Sequence, residues 1–158
     1  MENASPITAQ QLSDLVIEFF NHHMPFNQLL GFEVSKIGAD KAEISLAWDD
    51  KLMGNPIQKI LHGGVTAAIL DTVGSVAALL YGIKNLDSEA AVTEFQQALP
   101  NGGTLDIRVD YLRPGKGQAF IASAEVIRRG RKVAVCRMEL HNEQGLHIAT
   151  GTGTYMVG

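Results

Sequence analysis

The stretch His62-Gly63-Gly64-Val65-Thr66-Ala67-Ala68-Ile69-Leu70-Asp71-Thr72-Val73-Gly74-Ser75-Val76-Ala77-Ala78-Leu79-Leu80-Tyr81-Gly82 decides the fold. From Val65 to Gly82 it runs for 18 residues with one charge, Asp71. That length is close to the minimum for a membrane span. The interruptions at Thr66, Thr72, Gly74 and Ser75 argue instead for a buried helix of a soluble fold, over about residues 63–82. At about 100° per residue, Ala67, Ala68, Gly74, Ser75 and Ala78 fall within roughly 60° of Asp71. Ile69, Val73, Val76 and Leu80 lie opposite. One face is therefore bulky enough to pack into a sheet, and the other is small and carries a lone carboxylate. Such a carboxylate is costly unless it is paired or hydrogen-bonded. It reads either as a structural acid accepting from Ser75 or a backbone group, or as part of a site.

The flanks supply the sheet. Toward the amino terminus, Thr8 and Gln11 form a capping-box pattern. Leu12, Leu15, Val16, Phe19 and Phe20 follow at helical spacing, which predicts a helix over about 8–24 with one docking face, ending before Pro25. Residues 32–48 read as two strands around a turn at Gly38-Ala39-Asp40, and residues 49–61 as a loop. Residues 85–103 read as a connection with one short helix. In the last third, Leu105, Ile107, Val109 and Tyr111 alternate with Asp106, Arg108 and Asp110. Three more strand-like runs follow, at about 118–128, 131–142 and 146–157, separated by turn residues. Close spacing predicts a four-strand antiparallel meander over 104–157. The whole is an α+β chain in one domain, 1–158: an antiparallel sheet curled around one long helix, with an additional N-terminal helix.

Composition narrows the class. Among 158 residues, 46% are hydrophobic and 19% charged, which is globular rather than disordered. A net charge of −4 argues against a nucleic-acid binder. The single Cys136 excludes an internal disulfide and suits a reducing compartment. With Lys36 as the first basic residue, the amino terminus lacks a signal-peptide lead-in, so the expectation is a cytoplasmic protein outside the membrane. His22-His23, His141 and His147 lack metal-site spacing and carboxylate companions, and Cys136 reads as a small core residue. No phosphate loop or dinucleotide fingerprint is present.

The start of the long helix carries the chemistry. Unpaired N–H groups of the first turn, at the positive end of the helix dipole, favour developing negative charge. Gly63 and Gly64 leave that backbone open to a carbonyl. Together with an acid, this is equipment for acyl transfer or hydrolysis.

His62-Gly63-Gly64 followed by Asp71 resembles the HGG-x6-D signature of hotdog-fold acyl-CoA thioesterases of the PaaI type. The strand Asp106-Ile107-Arg108-Val109-Asp110-Tyr111-Leu112-Arg113-Pro114 resembles their post-helix strand. Met24-Pro25-Phe26-Asn27, Ile60-Leu61-His62-Gly63-Gly64-Val65 and the ending Thr154-Tyr155-Met156-Val157-Gly158 are similar to the bacterial YigI-like branch. The resemblance covers nearly the whole chain and implies a hotdog fold. It implies that Asp71 acts as general base or nucleophile, that the Gly63 N–H polarises the thioester carbonyl, and that His62 shapes the loop. It also matches Asn55 to a loop asparagine and Thr104 to a hydroxyl that holds the attacking water. As plain structure, Asn55 is a turn former before Pro56 and Thr104 a strand starter. Gly64 and Ser75 are further candidate substrate contacts. Arg113, Arg128, Arg129, Arg131 and Lys132 are candidates for CoA phosphates, the last four otherwise forming a solvated hairpin tip.

The implied activity is hydrolysis of medium- to long-chain fatty acyl-CoA, with no metal or redox cofactor. The implied partners are the acyl-CoA substrate and further copies of the chain, as a homodimer or homotetramer with a shared active site. Two other readings share the fold: a non-catalytic acyl-CoA-binding module, and a hydratase or dehydratase using His62 as acid and base.

Overall fold

The computed structural model describes residues 7–37 and 41–158. Helix α1 spans Ala9–His22, with Thr8 as its cap. Thr8 Oγ1 accepts the Gln11 N–H at 3.2 Å, and Gln11 Oε1 accepts the Thr8 N–H at 2.9 Å. Leu12, Val16 and Phe20 are buried beneath it, whereas Leu15 and Phe19 stay about half exposed, so the expected docking face is narrower than the apolar face. Helix α1 does stop short of Pro25, but the expected single helix is followed there by a second, α2 (Pro25–Leu30). Proline serves its first turn well, where an N–H has no partner to lose. Gly31, at φ 80, ends it in the left-handed region.

Strands β1 (Glu33–Ile37) and β2 (Lys41–Ala47) pair antiparallel, with Ala42, Ile44 and Leu46 buried. The turn expected at 38–40 lies outside the described residues. Asn21 of α1 exchanges two hydrogen bonds with the Val34 backbone, at 2.7 and 2.8 Å, which ties this helix to β1. The stretch expected as a loop contains a small hairpin, β3 (Met53–Asn55) and β4 (Ile60–Leu61). Helix α3 (Gly63–Lys84) follows, then α4 (Glu89–Ala98), the short helix expected in the connection. Strands β5 (Gly103–Tyr111), β6 (Ala119–Arg129), β7 (Val133–Asn142) and β8 (His147–Met156) complete the fold.

The six-stranded sheet runs β1-β2-β6-β7-β8-β5 and is antiparallel throughout. It wraps α3, whose Ile69, Leu70, Val73, Val76 and Leu80 are fully buried. Although α3 is long and apolar enough to cross a membrane, its burial in this core accounts for that composition. The expected four-strand meander needs correcting: only β6, β7 and β8 form one, and β5 lies beyond β8 at the sheet edge. The link from β5 to β6 must cross three strand spacings, about 14 Å. The Pro114-Gly115-Lys116-Gly117 segment supplies that reach, so no tight hairpin forms.

Strict alternation in β5 is also corrected. The register shifts between Thr104 and Asp106, leaving Leu105 as an extra residue. Leu105 is 55% exposed, while Thr104 sits opposite the buried Tyr155. Such a bulge re-aims a side chain at a sheet edge. On α3, Gly74 and Ala78 do not belong to the open face either. Both are buried against the sheet, where a Cβ at Gly74 would collide with the Tyr155 hydroxyl. The open stripe is Ala67, Ala68, Asp71, Thr72, Ser75 and Leu79.

Candidate active site

Asp71 projects from α3 toward β5, and the Leu105 bulge brings Thr104 to meet it. Thr104 Oγ1 donates to Asp71 Oδ1 at 2.8 Å. Among the described residues, the acid is met by this hydroxyl and by the Tyr155 phenol, not by Ser75. Tyr155 lies below. Burial, and next the Asp71 carboxylate, push its phenol above the ordinary tyrosine range, so it stays neutral. These groups open into a half-open, mainly apolar cleft of about 870 Å³. Its walls include Leu12, Leu15, Val16 and Phe19 of α1, Phe26 of α2, Ser75 and Leu79 of α3, and Leu99. The half-exposed Leu15 and Phe19 are explained by this cleft.

The glycine loop forms a second cluster. His62 caps α3, its Nδ1 accepting the Gly64 N–H at 2.9 Å. A Cβ at Gly64 would sit 3.0 Å from that nitrogen, so a side chain there would press the imidazole off its seat by a few tenths of an ångström. Tyr111 of β5 donates to the Gly63 carbonyl at 2.7 Å. The Gly63–Gly64 peptide is thus held at both ends, its oxygen by Tyr111 and its N–H by His62. The Gly63 N–H itself has no acceptor among the described residues, and the residue is exposed. An unpaired, fixed donor at a helix N-terminus favours negative charge placed beside it.

The two clusters do not share a cleft. Gly63 and Tyr111 line a separate hollow of about 370 Å³ with Arg113 and Gly115. Gly63 and Asp71 lie on one helix, eight residues apart, so about 12 Å separates them along its axis. An oxyanion donor must stand about 3 Å from the carbonyl oxygen, and a base about 3 Å from the water that attacks that carbonyl. Within one chain, two groups near in sequence thus stand well apart.

The remaining candidates divide. Asn55 is a turn former here, its Oδ1 accepting the Ile57 and Gln58 N–H groups at 3.0 and 3.1 Å. It stands on the hairpin packed against His62, and no hydrogen bond joins it to Asp71 among the described residues. Arg113 Nη1 donates to the His147 carbonyl at 2.9 Å. Arg129 turns inward, donating to the Ala78 carbonyl at 3.2 Å with its head 5.7 Å from the Phe95 ring centre. Burial lowers its pKa, and its role is to dock β6 on α3 and α4. Arg128, Arg131 and Lys132 remain exposed at the β6–β7 tip. Cys136 is a core residue, its thiol pushed up to about 12 by burial.

Sequence reasoning missed the roles of Tyr111 and Tyr155. Alternation placed Tyr111 on an inward face, but its partner lies 48 residues away. The histidine expectation also fails at one place. His141 and His147 face each other across β7 and β8, with Glu139 beside them.

Comparison with known proteins settles the family. The thioesterase superfamily model matches residues 58–149, which include the glycine loop, Asp71 and Thr104. The chain belongs to the thioesterase superfamily. Within that family, the medium/long-chain acyl-CoA thioesterase YigI of Escherichia coli (strain K12) is 43% identical over 152 residues, covering 96% of this chain and 97% of that one. The protein of the same description from Salmonella typhimurium is 45% identical over 154 residues, with the same coverage. A crystal structure from Shewanella oneidensis, described as related to the thioesterase superfamily, is 48% identical with a TM-score of 0.88. It covers 95% of this chain and 97% of that one. The sheet around α3 is accordingly the hotdog fold of this family, as the resemblance implied.

Proposed function

We propose that this chain hydrolyses medium- and long-chain acyl-CoA to free fatty acid and CoA, at a site completed by a second copy. The observation that carries the reading is the Asp71–Thr104 pair at the wall of an apolar cleft, with the free Gly63 N–H about 12 Å along the same helix. The names borne by the Escherichia coli and Salmonella relatives support the substrate class.

In this reading, β5 is the open edge through which two copies pair. Leu105, Tyr111 and Leu112 lie exposed along it and just past its end. An unpaired edge favours strand pairing, and a two-fold axis is the commonest closure. Gly63 of one copy then faces Asp71 of the other. The Gly63 N–H takes up charge on the thioester oxygen. Thr104 holds one carboxylate oxygen, leaving Asp71 Oδ2 to remove a proton from water. Hydroxide adds to the carbonyl, the C–S bond breaks, and the CoA thiolate leaves and takes up a proton. The acyl chain lies in the cleft between α1 and α3. Exposed Arg128, Arg131 and Lys132 remain candidates for the CoA phosphates; Arg129, held inside, serves the fold.

The full span 1–158 acts as one domain, and the cytoplasm is the expected compartment, where CoA thioesters occur and Cys136 stays reduced. The test is thiol release from an acyl-CoA panel running from acetyl to palmitoyl. Turnover rising with chain length supports the reading, and binding without thiol release contradicts it.

A further inference from the structure

We propose that Glu139, His141 and His147 form a site for a divalent transition-metal ion of the zinc class on the outer face of the sheet, away from the thioester site. Two sequence features bring the three together. Glu139 and His141 are two residues apart on β7 and so share a face. His147 would face inward with Ala149, but the β7–β8 register shifts between Leu140 and His141. Leu140 pairs with Ala149 and His141 with His147, leaving Ile148 as the extra residue. This bulge turns His147 outward, onto the face of His141.

One ligand atom from each residue lies within 4.8 Å of the other two, and all three side chains are half-buried. Glu139 Oε2 is 3.9 Å from His141 Nε2. The imidazole rings stack at 4.5 Å between centres and 17° between planes. Ligands bound to zinc at about 2.0–2.2 Å stand about 3.3 Å apart, so the carboxylate and His141 are already near that spacing. Rotating the His141 ring about its broad second torsion turns its lone pair toward the other two ligands. His147 Nε2 also lies 3.1 Å from the Ala149 carbonyl. A metal-binding histidine ordinarily gives its other N–H to such a carbonyl, which fixes the tautomer and leaves the second nitrogen as ligand. Two imidazoles and a carboxylate, with further positions open to water, suit zinc, nickel or copper better than calcium or magnesium.

The test uses tag-free, chelator-treated protein titrated with Zn²⁺ by calorimetry and with Co²⁺ by visible absorption. One equivalent of each metal should bind, and Zn²⁺ should raise the thermal midpoint of the wild type. Glu139→Gln, His141→Gln and His147→Ala should each weaken binding by about tenfold or more. A His22→Ala/His23→Ala variant should bind as the wild type does. If His147→Ala fails to fold, the near-isosteric Glu139→Gln and His141→Gln still decide. Failure to bind below about 1 mM Zn²⁺, or binding that survives these variants, overturns the proposal. Thioester hydrolysis is not a readout, so the two assignments stand or fall separately.

Discussion

Thr104 and Asp71, 33 residues apart, meet in a 2.8 Å hydrogen bond that exists because Leu105 is an extra residue in β5. Were Leu105 paired in unbroken alternation instead of bulged out, Thr104 would lie on the opposite face from Ile107, away from α3. A hydrogen bond to a charged group is worth about 1.5–3 kcal/mol. If it acts in the transition state, Thr104→Ala should lower kcat by about 10–100-fold. Thr104→Ser keeps the hydroxyl and should recover most of the rate. Equal kcat for the Ala and wild-type proteins would remove Thr104 from the site.

Tyr111 touches no expected substrate atom, yet it holds the Gly63 carbonyl and so positions the neighbouring N–H. Tyr111→Phe keeps the ring over Gly63 and removes the donor. The cost in stability should be about 1 kcal/mol, with kcat falling about tenfold and KM little changed. A purely structural role would change the thermal midpoint and leave kcat alone.

The cleft should measure chain length. Each methylene buried against its walls contributes about 0.8 kcal/mol, so kcat/KM should climb about fourfold per methylene until the cleft is full. Leu79→Trp fills the wall two turns beyond Asp71 and should move the plateau to shorter chains. An identical length profile in the variant would place the acyl chain elsewhere.

Much of this architecture was legible in the residues. The apolar run after His62 marks α3, the Thr8–Gln11 pair marks the start of α1, and turn residues separate β6, β7 and β8. Short-range patterns carry each of these. The place of β5 beyond β8 was not legible, because pairing across the sheet is decided by the whole fold. Both bulges, at Leu105 and Ile148, escaped for a related reason: one extra residue reverses which side chains face inward without changing composition. Thr104 and Asp71 were named separately, and their contact depends on the first bulge. The Glu139, His141 and His147 cluster depends on the second. Asn55 shows the opposite outcome, since its turn before Pro56 follows from local chemistry alone.

Gly74 tests the packing behind the site. Tyr155 lodges against it, and an added Cβ must displace a fully buried ring. Gly74→Ala should therefore destabilise by about 2 kcal/mol, lowering the thermal midpoint by about 4–8 °C. An unchanged midpoint would mean that Tyr155 relocates freely, contrary to its tight seat beneath Asp71.

The most direct measurement concerns the 12 Å gap, taken from about 1.5 Å per helical residue. Asp71→Asn removes the base, and Gly63→Pro removes the oxyanion donor. Proline is compatible with the first helical position, and His62 before it already has the extended ψ of 136 that a proline requires. Each variant alone should lose about 10²-fold or more in turnover. Mixed in equal amounts, unfolded and refolded together, they should regain about one quarter of wild-type activity. Half the dimers are then mixed, and one of their two sites pairs an intact Asp71 with an intact Gly63. Recovery near that level supports a site shared between two copies; no recovery, with mixed dimers confirmed by mass, would contradict it.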